Sequence, residues 1–203
     1  MTSVLVPASR LARWVENFEG RHGVTELSVF RGSLVGTAAD QSSFLASLPF
    51  SLGYDGTATP GGFAEACTPP ADWAALLVRK GGFAVARLAG STFVDSKVGQ
   101  RHVQGRTKAG GQSQQRFARR RENQARAAFE AAADHAARLI ADAPLVVVGG
   151  DRPAVDAVLA DSRLLRLAGR VVGEFLTVPD PRRGVLEDAV LDACSVTITV
   201  VNA

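Results

Sequence analysis

Gly110, Gly111 and Gln112 stand together at the head of an arginine run, in the segment GGQSQQRFARRR. Two residues without side chains let other atoms approach the main chain closely and tolerate positive φ. Gln112 then presents one neutral carboxamide, and Arg116, Arg119, Arg120 and Arg121 follow within nine residues. Guanidinium groups are the preferred partners of phosphate because their planar fork donates several hydrogen bonds. The combination suits a backbone tip that enters a tight, polyanionic cavity and delivers a small polar group there.

The charge pattern agrees. Between residues 97 and 126 there are nine basic residues (Lys97, Arg101, Arg106, Lys108, Arg116, Arg119, Arg120, Arg121 and Arg126) and one acid, Glu122, so this stretch carries +8. The rest of the 203-residue chain carries −5. Solvated helix faces usually mix signs, so a block almost without acids points to a polyanionic partner at one pole. Cys67 and Cys194 are the only cysteines, and His22, His102 and His135 the only histidines. Their spacing matches no metal-ligand motif, so no metal and no cofactor are expected. Two free thiols fit a reducing compartment. With no signal peptide pattern and no apolar run near 18 residues, the expectation is a cytoplasmic protein that does not touch membranes. A monomer is expected.

The elements that must position these residues can be read from periodicity. Residues 9–20 predict a helix capped by Ser9 and ended by Gly20, with Leu11, Trp14, Val15 and Phe18 on one face. Residues 24–30 and 33–38 predict strands around Arg31-Gly32, with a weaker third strand at 43–48. The Gly/Pro/Thr-rich stretch 53–62 reads as a loop and boundary. Pro69 to Lys80 reads as a helix carrying Trp73, Leu76 and Leu77, stopped by Gly81-Gly82. Residues 83–88 and 91–98 predict a hairpin, and Arg101–Gln104 a continuing strand. A helix from about Ser113 to Ala141 follows the glycines, with Phe117, Phe129, Ala132, Ala136 and Leu139 available for its core face.

Beyond it, strand and helix alternate: a buried strand at 145–148, a helix at 151–160, a strand at 170–177, a helix at 183–193 and a last strand or extended tail at 196–201. That order indicates an α/β fold. Gly149-Gly150 reads as a strand-to-helix turn, and Ser195 has no His/Asp partners that would make it a nucleophile. The domain division expected is 1–66 as an accessory α/β layer packed on the main domain, and 67–203 as the catalytic domain.

The segment 105–121, GRTKAGGQSQQRFARRR, resembles the catalytic loop and helix of the middle domain of eukaryotic and archaeal class-one translation release factors. Gly110, Gly111, Gln112, Ser113, Arg116, Phe117, Ala118 and Arg119 match the family pattern GGQS, two variable residues, then RFAR. A looser similarity runs from Gly82 to Gly150. A chain with neither a codon-reading domain nor a GTPase-docking domain is most similar to the small members of the Vms-like release factors. The resemblance implies a ribonuclease H-like mixed sheet with flanking helices and one long basic helix after the glutamine loop.

It also implies codon-independent hydrolysis of peptidyl-tRNA on stalled or split ribosomes. The partners implied are the large subunit, its ribosomal RNA and the peptidyl-tRNA. Gly110, Gly111 and Gln112 would be the catalytic tip. An amide near pH 7 is neither acid nor base, but it can position water, and its backbone N–H can stabilise an oxyanion. Arg116, Arg119, Arg120 and Arg121, with Arg101, Arg106 and Lys108 across the loop, would hold RNA phosphates. Two other readings use the same residues: a nuclease acting at the tRNA 3′ end, and a non-catalytic ribosome- or RNA-binding rescue factor.

Overall fold

The computed structural model describes residues 2–100 and 112–203, with backbone alone for 112–124. The chain divides into two compact units: residues 1–69 with 191–203, and residues 70–190. This differs from the expected split at 66/67 at the C-terminal end, where the last thirteen residues group with the first segment.

Unit 1 is an antiparallel five-stranded sheet with helices. Its strands are β1 (Thr2–Val6), β2 (Thr25–Phe30), β3 (Ser33–Ala38), β4 (Ser43–Ser47) and the last strand of the chain, β9 (Val196–Val201), in the order β1-β9-β4-β3-β2. The β2–β3 hairpin turns through Arg31 and Gly32, both at positive φ (49° and 77°), the geometry that matches the twist of paired strands.

Helix α1 (Leu11–His22) buries Leu11, Val15 and Phe18, spaced to line one face. Phe18 and Trp14 each meet the Phe44 ring edge-on at 5.1 Å. Gly36, paired with Phe44, makes room for that ring, since a Cβ there would lie 2.2 Å from it. The helix starts at Leu11 without a side-chain cap and ends at Gly23 (φ 89°), so neither Ser9 nor Gly20 plays the role expected of it. A short helix, α2 (Pro60–Ala66), occupies part of the predicted loop. Its Thr59 cap accepts a hydrogen bond from the Gly62 N–H at 3.2 Å.

Unit 2 contains β5 (Trp73–Arg79), β6 (Gly82–Ala89), β7 (Thr92–Gln100), α3 (Gln112–Leu139), β8 (Val146–Gly150), α4 (Arg152–Leu159) and α5 (Leu165–Ala168). Helix α6 (Arg183–Ala193) leads out of it. The sheet order is β7-β6-β5-β8, with β5 and β8 parallel and the other pairs antiparallel. This is the mixed α/β architecture expected.

The stretch predicted as a helix at 69–80 is instead the central strand β5. Trp73, Leu76 and Leu77 do fall at helical spacing, but all six residues from Trp73 to Val78 are buried. A strand covered on both faces loses the alternation that would betray it. The predicted strand at 170–177 is irregular, bridging β8 only at Val171 and Leu176.

The main core of unit 2 packs Leu76, Val78, Phe83, Val85, Val146 and Val148 against Ala132 and Ala136 of α3, Ile140 just beyond it, and Val155, Val158 and Leu159 of α4. Alanines on α3 let its backbone approach the sheet, which fixes the helix base closely.

Candidate functional site

Helix α3 begins at Gln112, the third residue of the glycine-glutamine motif. At 28 residues it extends about 42 Å. Positions 116, 119 and 120 lie within four residues of α-helical backbone and therefore share a side of it. Arg121 is also in α3. Gly110, Gly111, Arg101, Arg106 and Lys108 lie outside the described residues, as do His102 and the strand predicted at 101–104.

Among the described side chains, the contacts that hold this helix lie in its far half. Ala132 and Ala136 are fully buried, as predicted, with Phe129 and Leu139 partly buried against the same core. The ring of His135 stacks on Phe83 at 5.5 Å and 29°. Asp134 accepts a hydrogen bond from Arg163 Nη2 at 2.8 Å, and the same guanidinium grips Asp161 at 2.7 Å. That contact, with the Arg163 backbone N–H, draws the Asp161 carboxyl down to about 2. After α3 ends, Asp142 accepts from Arg87 Nη1 at 3.0 Å, and Arg87 Nη2 also donates to Asp72 at 2.6 Å. One arginine of β6 thus ties the exit of α3 to the entry of β5. The C-terminal half of the long helix is anchored by packing and by ion pairs.

At the root of α3 a cavity of about 190 Å³ opens between the helix, the start of β6 and the end of β7. His135 reaches it, with its imidazole pulled below its usual range by burial and then by the positive charges of Arg138 and Lys97. Sequence reasoning counted Lys97 in the cationic block but did not single out His135 or Phe83. A histidine at helical spacing from core alanines was the available signal.

Other chemistry is poorly served. The Ser195 hydroxyl donates to the Leu191 carbonyl at 2.8 Å, a helix-end contact. The Cys67 thiol points to the Cys194 carbonyl at 3.3 Å, and both cysteines are free. Burial raises both thiols, Cys194 to about 11 with help from Cys67, so neither is an activated nucleophile. His22 Nδ1 and Asp40 Oδ2 meet at 2.8 Å beside the end of α1. Among the described residues no group of three or more His, Cys, Asp or Glu is placed to hold a metal ion. No helix among them is long and apolar enough to cross a membrane. Gly149 and Gly150, expected to form the strand-to-helix turn, are instead the last two residues of β8, and the step into α4 follows at Asp151. A Cβ on Gly150 (φ 107°) would lie 2.2 Å from the Val78 carbonyl oxygen, and one on Gly149 would lie 2.6 Å from the Leu176 oxygen.

Comparison with known proteins gives a family. A family model described as acVLRF1, the Actinobacteria/chloroflexi VLRF1 release factor, matches residues 71–199. No curated protein matches the chain. Among solved structures, an archaeal translation termination factor, aRF1, aligns at 15% identity with a TM-score of 0.44, over 94% of this chain and 63% of its own. Pelota of Archaeoglobus fulgidus aligns at 13% identity with a TM-score of 0.30, over 94% of this chain and 62% of its own. The chain therefore spans less than two thirds of the length of either protein.

Proposed function

The chain belongs to the Actinobacteria/chloroflexi VLRF1 release factor family, and on that premise we propose that it hydrolyses peptidyl-tRNA on stalled or split ribosomes, without reading a codon. The observation that carries the reading is the position of Gln112. It is the first residue of a 28-residue helix whose opposite end is packed into the core of unit 2. A group so mounted can be thrust into a narrow RNA cavity while the body stays outside.

The reaction is ester hydrolysis. Water attacks the carbonyl carbon that joins the nascent peptide to the 3′-terminal ribose of the tRNA. The C–O bond to the ribose breaks, the ribose oxygen takes a proton, and the peptide leaves with a free carboxyl group. Gln112 contributes position rather than proton transfer. Its amide orients the water, and its backbone N–H faces the oxyanion that develops. Gly110 and Gly111 allow the close approach. Arg116, Arg119, Arg120 and Arg121, with Arg101, Arg106 and Lys108, neutralise the phosphates of ribosomal RNA and tRNA around the tip. The large ribosomal subunit is the platform, and the cytoplasm the compartment.

The test is peptide release from peptidyl-tRNA bound to purified large subunits. Gln112→Ala is expected to slow release by roughly 10²–10³-fold with subunit binding retained. Release by that variant at the parent rate overturns the assignment. The tRNA product separates the competing readings, because hydrolysis leaves an intact CCA end and a nuclease shortens it. Binding with no release by the parent protein marks a non-catalytic rescue factor.

A further inference from the structure

Among the described residues the two sheets end in four strands, β1 and β2 in unit 1 and β7 and β8 in unit 2. An edge strand presents a row of unpaired N–H and C=O groups that can recruit another strand. Folded proteins therefore guard their edges with charge, proline, a bulge or a covering segment. Three of these four edges are guarded. β8 is covered by the irregular segment 170–176, which bridges it at Val171 and Leu176. β7 carries Asp95 and Lys97, and its ladder with β6 shifts register between Arg87 and Leu88. β2 carries the exposed Glu26.

β1 has none of these devices. Its residues, Thr2–Val6, include no charge and no proline. They pair with β9 in unbroken register from Thr2–Val200 to Val6–Val196, so no bulge turns the edge away. Thr2, Ser3, Val4 and Leu5 are all exposed, with Val4 at 38% and Leu5 at 41%. Exposure to water does not by itself produce such a surface, since α1 of the same unit carries Arg13, Glu16, Glu19 and Arg21. The neutrality also runs inward from the edge. Across the five strands of unit 1 the only charged residue is Glu26, on the opposite margin.

The register shows which side chains a further strand would meet. Val4 and Val6 lie opposite Ile198 and Val196, both fully buried, so Thr2, Val4 and Val6 belong to the core side of the sheet. Ser3 and Leu5 belong to the open side, where the Ser3 and Thr199 hydroxyls meet at 3.1 Å. An antiparallel copy of the same strand, related by a two-fold axis through Val4, sets Val4 against Val4, Ser3 against Leu5 and Thr2 against Val6. Side chains alternate with a period of two, so each residue then meets one from its own side of the sheet. No like charges are opposed, and the two valines form a favourable cross-strand pair. RNA or a charged segment of another protein would find no counter-charge along this edge. A second copy brings an edge that is equally neutral, and it covers the exposed Val4 and Leu5.

We propose that β1 is a self-association edge: two copies of this chain pair β1 with β1 antiparallel, joining two five-stranded sheets into one of ten strands. The paired segment is about 17 Å long. A contact of that length buries less than the roughly 1,200 Å² of a stable complex. The dimer is therefore reversible and forms at protein concentrations on the order of tens to hundreds of micromolar. The pairing concerns unit 1 and is independent of the hydrolysis assigned to Gln112.

The experiment is sedimentation equilibrium of the full chain from about 5 to about 500 μM, with amide exchange measured over the same range. Association is expected to rise with concentration to a dimer and stop there, while protection appears along Thr2–Val6. That protection tests the edge in the parent, without a substitution. Val4→Lys and Val4→Glu each bring like charges together on the axis and should weaken association about tenfold or more. Mixed with each other, the two variants should recover a heterodimer, which loss of folding could not produce. A parent that stays monomeric throughout overturns the proposal, as does a dimer that both variants leave intact. Protection of Thr2–Val6 that appears only when large ribosomal subunits are added also overturns it, and gives the edge to an extended segment of another chain.

Discussion

Unit 1 sets an antiparallel sheet against α1 and α2 and leaves Ser, Thr, Glu26, Phe30 and scattered aliphatic side chains on its other side, whereas unit 2 buries its central strand β5 from Trp73 to Val78. Their charges differ as well. Residues 1–69 with 191–203 hold four basic and seven acidic residues; residues 70–190 hold nineteen and thirteen. The difference shows that the cationic character of this chain is the property of one unit, and within it of one strand-to-helix excursion. The other unit, at −3, is a poor candidate for phosphate. The proposed contact with RNA therefore falls to unit 2 alone.

The sharpest way to break that contrast is to disable one unit's packing. Gly150→Ala combines a positive φ with a backbone atom 2.2 Å from the new Cβ, and neither Val78 nor the β8–α4 turn can yield cheaply. It should destabilise unit 2 by about 3 kcal/mol or more, read as lost amide-exchange protection in β5 and β8. Gly36→Ala in unit 1 meets the Phe44 ring rather than backbone and carries no positive φ, so the expected loss is smaller, about 1–2 kcal/mol, and centred on β3 and β4. Equal effects would mean that the two glycines serve the same packing purpose.

Salt dependence sharpens the electrostatic side. Replacing Arg116 and Arg119 by Gln should reduce the slope of log affinity for RNA against log salt by about 1 per arginine. Replacing Arg13 and Arg31 of unit 1 in the same way should leave the slope unchanged. A slope that responds to the unit 1 pair would dissolve the division of labour.

The smallest expected effect is a pH response. The folded state holds His135 below its ordinary value of 6.5, so the folded protein binds fewer protons than the unfolded chain as pH falls through that value. Stability contributed by the neutral ring is present above 6.5 and lost as the pH drops toward the lower folded value. A thermal melt monitored at pH 7 and pH 5 should show a larger decrease for the parent than for His135→Gln. Arg138 and Lys97 oppose the charged ring, and Asp134 favours it.

Local signals made much of the site legible. The Arg31-Gly32 turn, the alanine face of α3 and the start of that helix beside Gln112 are set by neighbours a few residues apart, which is the range that periodicity and turn chemistry sense. The cationic block between 97 and 126 is a property of composition and needs no fold. The match of Gly110 to Arg119 with the release-factor pattern is likewise linear. Less could be read at 73–79, because an unbroken apolar run carries no period and suits a buried strand or a buried helix equally. The strand β1 left no mark, since its alternation is weak and its partner lies at the other end of the chain.

By itself, then, the chain's order of residues determined where the glutamine stands along the chain, what charge its sequence neighbours carry and that a long helix follows it. The tertiary structure alone decided that β9 returns to pair with β1 and β4, that β5 is a strand, and that Lys97, Phe83 and His135 meet around one cavity. The physical reason is distance along the chain. Backbone pairing and cavity formation depend on which remote segments exclude water together, and no window of neighbouring residues contains that information.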